Sequence, residues 1–151
     1  MGNTQNLSFD DGFMSFTINN DPNKVIRFNP TDFALINRIR DAYNAIDQAA
    51  EEAGDIKLNA DGTAIENING AADTLDIFRT AICKAIDDVF NSNICETAFG
   101  NQSPLSLVGG GKALWESFLE CICKMVESET GKKMELSRKK TDKYKSQVYR
   151  K

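Results

Sequence analysis

Residues 29–50, NPTDFALINRIRDAYNAIDQAA, decide the fold class. Asn29 is a residue type that caps helices, Pro30 suits a first helical position where its missing N–H costs nothing, and Asp32 favours the positive end of the helix dipole. Phe33, Ile36, Ile39, Tyr43, Ile46 and Ala50 then recur at steps of three and four. That spacing predicts an amphipathic helix with one apolar stripe, beginning near Pro30 and stopped by Gly54.

Upstream, FMSFTI and KVIRF read as two short strands joined by NNDPN, whose Asn, Asp and Pro are turn formers, so residues 13–28 are predicted to be a hairpin. Alternation puts Met14, Phe16 and Ile18 on one face, and Ile26 with Phe28 on one face of the second strand. A hairpin is marginal alone and needs helices beneath it.

Downstream, GDIKLNADGTA (residues 54–64) reads as a polar connection. A calcium loop centred on Gly62 fails, because its first and twelfth ligand positions would be Lys57 and Ile68. A second helix is predicted from Ile65 or Asn69 to Phe90, with Ile68, Ala72, Leu75, Phe78, Ile82, Ile86 and Val89 or Phe90 on its stripe. Asp87 and Asp88 oppose its dipole and read as solvated acids or as a site for a basic group.

SNICETAFG reads as a short helix capped by Ser92 and closed by Gly100, and NQSPLSLVGGG as a loop. The triple glycine before Lys112 is not a phosphate loop: Ser106 stands where the first glycine belongs, and Ala113 follows the lysine. The last helix is predicted over residues 112–128, carrying Trp115, Phe118, Leu119, Ile122, Met125 and Val126, with Gly131 breaking it. The fold class expected is mainly α: a small bundle of three main helices plus a short one, an N-terminal β-hairpin and a flexible C-terminal tail. Residues 1–131 form one helical domain in this reading, and 132–151 the tail.

Charge follows the same division. The tail holds 9 Lys and Arg against 2 acids, and residues 1–131 hold 9 against 20, so the body is −11 and the tail +7. Such a tail suits an acidic partner surface. The acidic body and the lack of a reading helix disfavour nucleic acid. No apolar run reaches the ~20 residues of a membrane helix. MGNTQNLSFDDG lacks the basic and apolar parts of a secretory signal, and Asn6 spoils a myristoylation pattern, so the protein is expected to stay where it is made.

The chain contains no histidine, which removes the commonest general base and metal ligand. No nucleophile elbow, dinucleotide fingerprint or carboxylate pair emerges, so no enzyme, cofactor or metal is expected. Cys83, Cys95, Cys121 and Cys123 all lie in apolar stretches and read as reduced core thiols. Apolar surface is what remains for function. Trp115, Met125, Phe99 and the Met14/Phe16 edge belong either to the core or to a groove for a partner helix.

Three segments resemble a family of phage proteins: DPNKVIRFNPTDFALINRI (21–39), VFNSNICETAFGNQSPLSLVGGGKALWESFLECI (89–122) and KKTDKYKSQVYRK (139–151). The family is the tail assembly chaperones of long-tailed phages. The resemblance implies a nonvirion protein of the bacterial host cytoplasm that coats the tape-measure protein, promotes tail tube assembly around it and is able to self-associate. It supplies no catalytic residues. The expected contact residues are Phe99, Leu105, Leu107 and Trp115 around the glycine loop, with Lys139, Lys140 and Lys143 in the tail. The alternatives are a small structural tail or connector protein and, third, a nucleic-acid-binding regulator.

Overall fold

The computed structural model describes residues 2–53 and 68–149, with side chains described for 2–52 and 71–141. The chain is mainly helical, with one two-stranded hairpin. Strand β1 (Met14–Ile18) pairs antiparallel with β2 (Asp21–Phe28). Asn19 and Asn20 make the turn with φ of 49° and 62°. Left-handed backbone at both central positions matches the twist of the flanking strands, and Asn tolerates it better than most residues. Phe16 faces Ile26 and Met14 faces Phe28, but the register breaks between Thr17 and Ile18. Pro22 lies in the irregular stretch, where its missing donor disturbs no ladder.

Helix α1 (Phe33–Ala53) starts three residues later than the sequence suggests. The Asp32 carboxylate accepts the Ala34 N–H at 2.9 Å, while Asn29 Oδ1 accepts the N–H and hydroxyl of Thr31. Asn29 therefore closes the preceding turn, and Asp32 is the cap. Of the expected stripe, Ile39 and Ile46 are in the core and Tyr43 packs against it, joined there by Leu35 and Ala42, while Phe33 and Ile36 are 63% and 50% exposed. Gly54, the residues 54–64 connection and the expected earlier start of the next helix lie outside the described residues.

Helix α2 (Ile68–Phe90) packs against α1 through Ile82, Ala85, Ile86 and Val89. Arg38 of α1 donates its Nε–H to the Val89 carbonyl at 2.6 Å, satisfying an end carbonyl of α2 and tying the two helices together. Asp87 and Asp88 part ways: Asp88 pairs with Lys84 at 2.8 Å, and Asp87 turns toward the next element.

That element is α3 (Ile94–Phe99). Ser92 does not cap it, contrary to the local pattern. Asn93 occupies the cap position, but its side chain donates to the Glu96 carboxylate rather than accepting a helix amide, and the Asp87 carboxylate instead accepts the Ile94 and Cys95 amides, both at 2.8 Å. Gly100 closes the helix at φ 59° and donates its N–H to the Glu96 carbonyl. Cys83 and Cys95 are joined as a disulfide with Cα atoms 5.4 Å apart, so these two are not the separate core thiols expected.

Helix α4 (Leu114–Tyr149) runs through Gly131 without a break. Its 36 residues span about 54 Å at 1.5 Å per residue. An interior glycine costs a helix about 1 kcal/mol relative to alanine, which is too little to stop one that is supported on either side. Lys132–Glu129 and Arg138–Glu135 pairs at (i, i+3) flank it. Trp115, Leu119, Ile122 and Val126 bury one stripe in the core, whereas residues 131–141 are exposed throughout.

Candidate functional site

The N-terminus of α4 is built by the loop before it. Val108 donates its N–H to the Lys112 carbonyl at 2.8 Å, Leu107 and Ala113 form a bridge, and a short 3-10 turn over Gly109–Gly111 closes the bend. Gly110 and Gly111 hold φ of 82° and 80°, which explains two of the three glycines. The Ser106 carbonyl accepts the Leu114 amide at 2.7 Å, and the Pro104 carbonyl the Trp115 amide at 3.0 Å. Loop carbonyls thereby satisfy two of the amides that a helix start leaves without partners. Lys112 Nζ sits 2.6 Å from Glu120 Oε2, and this contact holds its ammonium above the usual lysine range.

With its start fixed, α4 faces the hairpin across an apolar groove of about 350 Å³. Phe16, Ile18 and Phe28 form the hairpin wall, Ala98 and Phe99 come from α3, and Leu114, Phe118, Cys121, Ile122 and Met125 come from α4. A run of aromatic contacts connects these walls. Phe16 stacks on Phe28 at 4.8 Å between ring centroids, Phe28 meets Phe90 edge-on at 5.2 Å, and Phe118 meets both Phe90 and Phe99 edge-on, at 6.2 Å and 5.5 Å. Each such pair adds about 0.5–1.5 kcal/mol beyond its buried area, so the walls are set before anything binds.

The residues expected at a partner surface are dispersed. Phe99 is buried yet contributes to the groove. Trp115 lies in the core, edge-on to Tyr43 at 5.8 Å, and Leu105 is half-buried against the same core. Leu107 is 75% exposed on the loop. Lys139 and Lys140 stand on the exposed length of α4, and the Lys143 side chain lies outside the described residues. Of the residues held open between core and groove, Phe16 and Met125 line the groove, and Met14 is exposed at the hairpin edge.

By spacing alone Phe118 and Ile122 belong to the core stripe of α4, with no groove role. The signal was present in their spacing with Met125, which puts all three beside the face the hairpin must cover. The polar content of the groove is slight: Thr17, Asn19, Ser117 and the exposed thiol of Cys121. It suits an apolar surface held by shape, and it offers no acid–base pair.

A second cavity, of about 390 Å³, is lined by Cys83, Cys95, Asp87 and Arg79 among others. Phe99 borders both cavities. Among the described residues, no group of three or more acidic or cysteine side chains is placed to hold a metal ion, and no helix is long and apolar enough to cross a membrane. Compared with known proteins, the chain matches no family model, no curated protein and no solved structure.

Proposed function

We propose that this chain is a phage tail assembly chaperone that acts by binding the tape-measure protein and promoting tail tube assembly around it. The observation that carries this reading is the double use of α4. One helix supplies Phe118, Ile122 and Met125 to the apolar groove and then continues as an exposed extension bearing Lys132, Lys133, Arg138, Lys139 and Lys140. A partner matching both parts is a helix with an apolar stripe and acidic residues further along it. Long helical proteins that would aggregate through such stripes are the clients a tail chaperone shields, and many weak contacts along one client add up through multivalency. The sequence resemblance supports the same reading.

The test is to tag the chain in phage-producing cells and identify what co-purifies, alongside the composition of mature particles. Recovery of the tape-measure and tail tube proteins, with the chain absent from finished particles, is the expected result. Stoichiometric presence in particles would instead identify a structural tail or connector protein. Recovery of nucleic acid alone would contradict both.

A further inference from the structure

Neither the groove nor the basic extension accounts for Cys83 and Cys95. Cys83 lies on α2 and Cys95 on α3, and their Cα separation of 5.4 Å falls within the range a disulfide spans without backbone movement. Both line the 390 Å³ cavity, which opens to the surface and gives a small thiol reagent a place to approach. Cys83 is half-buried and Cys95 is 4% exposed, so the two sulfurs are unequal in access.

The placement matters because of what α3 carries. It has six residues, too few for a helix to be stable on its own, so its position depends on its attachments. One attachment is the pair of hydrogen bonds from the Ile94 and Cys95 amides to Asp87. Another is the Cys83–Cys95 bond, one turn earlier on α2. Ala98 and Phe99, at the far end of the same short helix, form one wall of the apolar groove.

We propose that Cys83 and Cys95 form a redox-active dithiol site whose substrate is a small disulfide of the glutathione class, and that closing the bond fixes the α3 wall of the groove. In the first step the more accessible Cys83 thiolate attacks one sulfur of the small disulfide. A Cys83 mixed disulfide forms and one small thiolate leaves. The Cys95 thiolate then attacks the Cys83 sulfur, forming the internal bond and releasing the second small thiolate. Two cysteine thiols are oxidised, one small disulfide is reduced to two thiols, and the two cysteine protons pass by way of solvent to the departing thiolates. The site stands whatever occupies the groove.

The test uses the full chain equilibrated in buffers of varied reduced-to-oxidised glutathione ratio, then alkylated and mapped by mass spectrometry, with amide hydrogen exchange measured at both extremes. Cys83 and Cys95 are expected to lose alkylation together as the ratio falls, while Cys121 still reacts. Amides of residues 94–100 are expected to exchange about tenfold more slowly in the oxidised chain, and those of α1 to change little. Cys95→Ser is expected to stop after the first step, leaving a glutathione adduct on Cys83. Thiols at 83 and 95 that stay alkylatable at every ratio would overturn the site. A bond that forms without slowing exchange at 94–100 would overturn its hold on α3.

Discussion

The carboxylate of Asp87, in the last turn of α2, accepts the amide of Cys95 at 2.8 Å across the bend that separates two helices. The same oxygen accepts the Ile94 amide, so one acid serves as the N-terminal cap of an element it does not belong to. This explains why an acid is found where it opposes its own helix dipole: it stabilises the next helix instead. Asp87→Ala leaves two amides at the start of α3 without their acceptor. It is expected to lower stability by about 1–2 kcal/mol in urea denaturation, against a few tenths for Asp88→Ala, whose partner is an exposed lysine.

Leu107 before the triple glycine and Trp115 after it, in the first turn of α4, should separate cleanly. Trp115→Ala removes a core side chain that packs on Tyr43 and is expected to cost about 3–5 kcal/mol of folding stability. Leu107→Ala removes an exposed one and should change stability by no more than about 0.5 kcal/mol. Thermal melts of the two variants check this. Loss of partner binding in Leu107→Ala would then be a surface effect, whereas in Trp115→Ala it would follow from unfolding.

Much of the fold was legible because it rests on local patterns. The hairpin over Phe13–Phe28 and the three long apolar periodicities each follow from residue order alone. What was misread depends on partners distant in sequence. In α1 the expected track, Phe33–Ile36–Ile39–Tyr43–Ile46–Ala50, and the buried one, Leu35–Ile39–Ala42–Ile46, overlap at Ile39 and Ile46. Periodicity alone does not choose between them, and packing against α2 selects the second. The cap of α3 comes from Asp87 rather than the nearby Ser92, and the Cys83–Cys95 bond closes across a bend whose angle no spacing reveals. The groove was partly visible, since Phe16 and Met125 were recognised as residues shared between core and surface. Its floor was not, because Phe118 carries the same helical spacing as its buried neighbours.

The continuity of α4 makes Gly131 a sensitive position. A Cβ there meets nothing within 4 Å, so Gly131→Ala adds helix propensity without a clash. It is expected to raise far-ultraviolet helicity and favour the helical extension by about 1 kcal/mol. Gly131→Pro, about 3 kcal/mol worse than alanine in a helix interior, should lower helicity while leaving the body folded. Equal spectra for glycine, alanine and proline at this position would mean the helix ends before it.

Tyr43 gives the structure a pH signature. Burial pushes its phenol above the ordinary 10.0, and negative charge on Cys123, Glu120 and Glu116 pushes it the same way. The charged form is disfavoured in the folded chain, so above about pH 10 the unfolded state ionises first. Stability is therefore expected to fall as pH rises through 10 and to level once Tyr43 ionises in the folded protein too. Tyr43→Phe should flatten that decline, as measured by denaturant midpoints between neutral and alkaline pH.

If, as we propose, the groove between the hairpin and α4 holds the tape-measure protein, a charge placed in that groove abolishes capture. Cys121 is exposed and lines that groove, so Cys121→Arg places a bulky charge in it without disturbing the core. The most direct measurement is co-purification of the tape-measure protein with tagged wild-type and Cys121→Arg chains from phage-producing cells, with melting temperatures recorded for both. Capture by the wild type and little or none by the variant, at an unchanged melting temperature, is the expected result. Equal capture by both, with both folded, would contradict it.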